Sequence, residues 1–233
     1  MLALLQGQEE DHIQIVLSGY AGLAVTPRAD LTLERAGGTN LTFRDVAWED
    51  ASFRSPQYYG LRLGVFLGRR SPWGLMLDFT HAKIIAEDDE EVAVVGTRDG
   101  AAVDADERID RTLESLDITH GLNFLTVNIV HRWLFDPETF LGRFEPYVGA
   151  GGGIAIPHVE ASIGGESDHG YQTDGPAFQA LAGLSATLVG PLAVFVEYKI
   201  SVAFLNRLEV PGGTISLEPW THHLVVGISL RIW

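Results

Sequence analysis

The chain has 233 residues, enough for one domain and short for two. A formal net charge of −15 argues against binding nucleic acid through its phosphates. Cysteine is absent, which excludes disulfides, thiolate metal sites, c-type haem attachment and cysteine nucleophiles together.

Mean hydropathy is slightly positive although a fifth of the residues are charged, so apolar and polar positions must be finely interleaved. No run of about 18 apolar residues occurs, which excludes a spanning helix. A closed β-barrel is the other way across a bilayer, because each backbone N–H and C=O must find a partner inside it. A soluble β-sandwich is the competing class. The opening octet, MLALLQGQ, has no positive n-region and only a short apolar run, so it does not read as a working signal peptide. Residues 1–11 read as a tail, either a signal-peptide remnant or a mature start, and 12–233 as the barrel.

From there the pattern has period two, as in strands with lipid on one face and a polar lumen on the other. The first strand is expected from about His12 to Val25, with Ile15, Leu17, Leu23 and Val25 outward and Gln14, Ser18 and Tyr20 inward. The second, Tyr58 to Leu67, turns Tyr59, Leu61, Leu63 and Val65 outward and Arg62 inward. The third, Trp73 to Ile85, places Leu75, Leu77 and Phe79 outside and Asp78 and Thr80 inside. The fourth runs from Ile118 to Leu134, with Leu125, Val127 and Ile129 outward and Thr126, Asn128 and Arg132 inward. The fifth, Glu145 to about His158, exposes Val148, Ala150 and Ile154 over inward Tyr147 and glycines. The sixth (Ala177–Leu188), seventh (Leu192–Phe204) and eighth (His222–Ile232) repeat the alternation, with Gln179, Glu197, Lys199 and Arg231 inward.

Eight strands make the smallest common membrane barrel. The links after the even strands are short and those after the odd strands are long and irregular, the asymmetry of periplasmic turns against outer loops. Both ends then lie in the periplasm, and the last residue is the aromatic Trp233. The expected fold is therefore an all-β, eight-stranded antiparallel transmembrane barrel with long extracellular loops, in the outer membrane of a Gram-negative bacterium.

A barrel of eight strands is filled by side chains. The inward charges carry both signs, so they read as a salt-bridge plug, and transport through an open pore is not expected. The second outer loop, Glu87 to Asp117, holds twelve acids against Arg98, Arg108 and Arg111. It reads as a solvated, mobile loop; the alternative is a Ca²⁺ or Mg²⁺ site beside lipopolysaccharide phosphates.

Histidines gather at one end. His81, His120, His158, His169, His222 and His223 fall at or beyond the outer rim, whereas His12 and His131 lie toward the periplasm. Asp78, Glu160 and Glu218 share the outer end. Imidazole with carboxylate suits non-haem iron, copper or zinc, and also general acid–base work. The spacings match no metal motif, and strict parity points His81 toward lipid. The plain alternative is a rim of polar residues hydrogen-bonded to water and loops.

Several stretches resemble the lipid A oxidase family of outer-membrane barrels: LDFTHAK (Leu77–Lys83), THGLNFLTVN (Thr119–Asn128), RFEPYVGAGGGIAIPHVE (Arg143–Glu160), YQTDGPAFQALAG (Tyr171–Gly183) and FVEYK (Phe195–Lys199). GTNLTFRDVAW (Gly38–Trp48) and PQYYG (Pro56–Gly60) join them. The resemblance implies oxidation of the proximal glucosamine of lipid A to 2-aminogluconate, with oxygen consumed and hydrogen peroxide released. Side chains without cysteine are poor electron acceptors and no dinucleotide fingerprint is present, so a redox metal ion, iron or copper, is expected. Under that reading His81, His120, His158 and His223, with Asp78 or Glu160, hold the metal or move the anomeric proton. Asn123, Gln172 and Gln179 contact sugar hydroxyls, and Lys83 meets a lipid A phosphate. The partners are lipopolysaccharide and outer-membrane lipids. Two other functions compete: a deacylase, for which His81 lacks a serine partner, and a structural or ligand-binding barrel without catalysis.

Overall fold

A computed structural model describes residues 13–232; the expected tail over 1–11, His12 and Trp233 lie outside them. Its strands, in chain order, are β1 (Gln14–Val25), β2 (Ala29–Arg35), β3 (Thr39–Val46), β4 (Trp48–Glu49), β5 (Tyr59–Phe66), β6 (Trp73–Ala86), β7 (Glu91–Arg98) and β8 (Ala101–Arg108). There follow β9 (Ser115–Arg132), β10 (Phe144–Ile163), β11 (Glu166–Tyr171), β12 (Pro176–Val189), β13 (Leu192–Ala203), β14 (Leu205–Val210), β15 (Gly213–Leu217) and β16 (Trp220–Ile232).

Eight of them, β1, β5, β6, β9, β10, β12, β13 and β16, pair antiparallel in ring order. The ring closes where β16 meets β1, with Leu17 opposite Leu230 and Ala21 opposite Val226. All eight expected strands are present within a few residues of their expected ends, except that β10 runs five residues past His158, to Ile163. The alternation has the physical cause read from the sequence. Leu61, Ile129, Val226 and Ile228 stand outward and exposed, while Arg62, Asn128, Val225 and Ser229 beside them are buried. Water could not hold such an apolar exterior, but hydrocarbon does. At the periplasmic end His131 packs edge-on against Trp73 and Trp133, with ring centroids 4.5 and 4.6 Å apart. This is an aromatic belt of the kind found at membrane boundaries.

The middle of the lumen holds a charge-balanced network. Arg62 donates to Glu197 at 2.5 and 2.7 Å and to Asp78 at 3.0 Å. Lys199 donates to Asp78 at 3.1 Å and Gln179 does so at 3.0 Å. The Tyr20 hydroxyl completes the Asp78 carboxylate at 2.8 Å, and Tyr147 reaches Glu197 at 2.8 Å. Tyr20 fits only because its neighbour is glycine: a Cβ on Gly60 would stand 1.9 Å from the Tyr20 ring. Nearer the periplasm Arg132 and Arg231 each lie 3.5 Å from Glu145. The expected plug is thus present, with Arg62, Lys199, Asp78 and Glu197 cancelling in charge.

The outer connections differ from the irregular loops expected. They fold into a second, six-stranded sheet in the order β14–β15–β2–β3–β7–β8. Its inner face carries Leu31, Leu33, Leu41, Phe43, Val94 and Ile215. These join Ile84, Leu116, Ile118, Val159 and Ile163, from the parts of β6, β9 and β10 that overrun the barrel, in one hydrophobic cluster. The roof packs on the outer end of the barrel. The acidic segment is part of it: β7 and β8 form a hairpin, and Arg98 donates to Glu107 at 2.8 Å. Its charge is carried on a folded surface because every second residue, Val92 and Val94, buries apolar area.

Candidate functional site at the outer rim

Directly paired residues share a face, so the register defines rows around the lipid-facing wall. One row, Ile154–Leu125–Phe79–Leu61, is wholly apolar. The next row up, two residues or about 6.7 Å higher, reads Ile156–Asn123–His81–Tyr59. Above it stand His158 beside Tyr171, and then Glu160 between Asp117 and His169. The wall therefore changes from wholly apolar to mostly polar within a single step.

Two facing irregularities shape the polar part. Between β6 and β9 the register runs from Ala82–Leu122 to Ile84–Ile118, so Thr119, His120 and Gly121 oppose Lys83 alone. Between β9 and β10 it slips from Pro157–Leu122 to Glu160–Asp117. Such bulges re-aim side chains, and here strict alternation, which would have turned His120 inward, is broken. Gly121 makes the bulge feasible. Its φ is +127°, and a Cβ there would lie 2.5 Å from the Asn123 amide oxygen and 2.7 Å from His81 Nδ1.

His120 is brought to Glu160, with Nδ1 2.5 Å from Oε1, and His158 Nδ1 lies 3.4 Å from the same oxygen. Thr119 donates its hydroxyl to Glu160 Oε1 at 3.0 Å. The two imidazole centroids are 4.9 Å apart, and Tyr171 packs edge-on against His158 at 4.6 Å. Tyr171 also donates its hydroxyl to the His120 carbonyl at 3.2 Å, tying the bulge to β11. Burial works to raise the Glu160 carboxyl, but the bonds from His120 and Thr119 outweigh it and hold the group below its usual range. Asp117 goes the other way, raised first by burial and then by Glu160 opposite. Among the described residues, His120, His158 and Glu160 are the group whose ligand atoms, all within 4.8 Å of one another, could hold a metal ion.

Beside this group lies a shallow recess lined by Pro56, Tyr59, His81, His120, Asn123 and Tyr171. His81 points outward, as parity required, but it is covered: it stacks on Tyr59 at 5.0 Å and its Nδ1 lies 2.8 Å from Asn123 Oδ1. Asn123 donates its amide to the Ile156 carbonyl at 3.0 Å, which turns its oxygen toward the imidazole. His81 therefore carries its proton on Nδ1 in this bond.

The structure gathers His81, His120, His158, Glu160 and Asn123 and disperses the other candidates. Asp78 and Gln179 belong to the lumen plug, on the far side of the wall. His223 is also inside, its Nδ1 3.1 Å from the Tyr58 hydroxyl and its ring against Phe124. Lys83 is buried and donates to the Arg54 carbonyl at 2.9 Å. Gln172 uses its amide as a strand rung, donating to the Glu209 carbonyl at 3.0 Å and accepting from its N–H at 2.7 Å. Tyr59, Tyr171 and Thr119 complete the site without having been singled out as parts of it. For Tyr59 the signal was present, since it is the last outward residue at the top of its strand.

A closed eight-stranded barrel with an apolar outer wall, an ionic plug and its polar surface beginning at one rim is an integral outer-membrane protein. No family model and no curated protein sequence matches the chain. Among solved structures it is similar to the outer-membrane protein OprG from Pseudomonas aeruginosa, with 14% identity over 94% of this chain and 95% of that one and a TM-score of 0.47. Neisserial surface protein A is similar at 10% identity over 94% and 96% of the two chains, with a TM-score of 0.42. Ail, the attachment invasion locus protein of Yersinia pestis, matches at 12% identity over 94% and 98%, with a TM-score of 0.38.

Proposed function

We propose that this outer-membrane barrel binds the headgroup of lipid A at the recess on β5, β6, β9 and β10. One observation carries the reading: the Asn123–His81–Tyr59 row stands one step above the apolar belt, on the face that meets lipid. An acyl chain lying against Leu61, Phe79 and Leu125 would present its sugar to that row. Tyr59 and Tyr171 offer exposed ring faces and His120 offers a hydrogen bond, while the buried His81 and Asn123, bonded to each other, back the Tyr59 ring.

A second reading is favoured by the close His120–Glu160 pair and by the sequence resemblance: oxidation of the proximal glucosamine of lipid A. The H–C1–OH unit loses two electrons and two protons to oxygen, which becomes hydrogen peroxide, and water opens the lactone to 2-aminogluconate. A redox ion, iron or copper, would supply the electron path. His120, held by Glu160 through one nitrogen, is suited to take the hydroxyl proton with the other.

Expression in the outer membrane of a host without such activity, followed by lipid A mass spectrometry and by lipid A binding to the purified barrel, tests both. Saturable binding that His81→Ala weakens, with lipid A unchanged in mass, supports the first reading alone. A gain of one oxygen atom that depends on air supports the second. Folded, inserted protein that neither binds nor alters lipid A refutes both.

A further inference from the structure

We infer that His120, His158 and Glu160 bind one transition-metal ion in the folded barrel, whether or not a lipid is present. The donor set selects the class of ion. Two imidazoles and one carboxylate suit zinc, iron or copper, whereas Ca²⁺ and Mg²⁺ take sites built from oxygen. Two histidines with one carboxylate and open positions form the facial arrangement of non-haem iron sites.

Geometry argues against a simple ion pair. A His120–Glu160 pair would account for the 2.5 Å contact between those two. It leaves His158 unexplained, because its Nδ1 is buried, points at the same carboxylate oxygen from 3.4 Å and has no hydrogen-bond partner. Buried polar atoms without partners are uncommon and costly, and an ion between the three groups satisfies this one. Bonds of about 2.0–2.2 Å place neighbouring ligand atoms about 3 Å apart. The 2.5 and 3.4 Å separations bracket that value, and the His120 side chain, 58% exposed, is the one able to adjust.

Supporting contacts are also in place. Thr119 fixes the Glu160 carboxylate, Tyr171 braces the His158 ring, and the Tyr171 hydroxyl holds the bulge that carries His120. Groups that orient ligands in this way are part of a metal site rather than decoration. Three protein ligands leave a position open for water or substrate.

The test uses the whole chain, untagged, folded in detergent micelles, stripped with chelator and free of lipid A. It is titrated with Co²⁺ by ligand-field absorbance and with Zn²⁺ by calorimetry in a large excess of Ca²⁺. We expect one ion per chain that Ca²⁺ does not displace. His120→Ala and Glu160→Gln should each weaken binding about 100-fold, and Thr119→Val about 10-fold, as losses of a ligand and of an orienting contact do. His222→Ala, at another part of the rim, should leave the affinity unchanged. His120→Ala removes an exposed side chain from a bulge, so it decides the matter should Glu160→Gln fail to fold. Folded wild-type protein that binds neither ion, affinity unaltered in His120→Ala, or displacement by Ca²⁺ would each overturn the inference. None of these outcomes depends on whether lipid A is bound or oxidised.

Discussion

Replacing Asp78 by Asn keeps the shape of the plug and removes one of its four charges. The carboxylate faces two cations, Arg62 through bonds of 3.0 and 3.3 Å and Lys199 at 3.1 Å, and also accepts from Tyr20 and Gln179. Asn keeps an acceptor for Tyr20 and Gln179 but loses its pairing with two cations; counting one charged bond of about 1.5–3 kcal/mol for each gives about 3–6 kcal/mol. Breaking one member of a buried pair costs about 3–5 kcal/mol because the other charge is stranded, and the two routes agree. Arg62 keeps both bonds to Glu197, so the stranded charge is Lys199, which is fully buried. Adding Lys199→Met should therefore restore part of the loss, with the double variant less destabilised than the sum of the singles by about 1–3 kcal/mol. The assay is reversible urea unfolding in lipid vesicles, read by tryptophan fluorescence and by heat-modifiable gel mobility. Asp78→Asn within about 1 kcal/mol of wild type, the range of an exposed pair, would refute the reasoning, and so would strict additivity in the double variant.

Three further outcomes follow from the roof and rim. Gly121→Ala places a methyl group against Asn123 and His81 at a positive φ, a strain of about 1–3 kcal/mol; Co²⁺ affinity should fall while gel mobility still reports a folded barrel. Arg98 hydrogen bonds hold the Glu107 carboxyl below its usual range, so the stabilisation is complete above the unfolded value of about 4.3 and is lost as pH falls through the folded value. Amide protection in β7 and β8, corrected for the intrinsic pH dependence of exchange, should accordingly fall below about pH 4 in the wild type. In Glu107→Gln it should be lower at neutral pH and lack that step. Gln172→Ala removes the rung between β11 and β14; exchange at Glu209 should rise, with lipid A binding unchanged if Gln172 only seals the roof.

The eight barrel strands were legible because a membrane wall imposes alternation on each of them, and a slip of one residue would put Arg62 or Lys199 into lipid. The roof was legible in principle and was obscured by charge. Asp99–Gly100 and Gly164–Gly165 are two-residue hairpin signals, and all four residues have positive φ, at 51°, 79°, 63° and 78°. The acid-rich flanks of the first pair read as a solvated loop, although Val92 and Val94 already alternated beneath them. Parity also separated the site candidates more sharply than residue type did. Asp78, Gln179 and His223 fall on the inward positions of their strands, and that is where they lie. His120 is the opposite case: parity sends it inward, and only the bulge at Gly121 brings it out, a tertiary event with no periodic signature.

These placements bear on where chemistry can occur. Inside the wall, Arg62 and Lys199 are paired with Asp78 and Glu197, and the hydrophobic roof packs over the outer end. Buried polar atoms without hydrogen-bond partners occur on both sides of the wall: Gln179 Oε1 and His223 Nε2 inside, and His158 Nδ1 and His81 Nε2 outside, where His120 and Glu160 stand beside them with exposed surface. Unsatisfied polar atoms carry a cost that a barrel does not need for its own closure, since the rows below are satisfied by hydrocarbon alone. The outer pair differs from the inner one in standing on strands bent by two facing bulges, next to the exposed His120 and Tyr171, and this is why the proposed lipid and metal sites lie on the flank of the barrel.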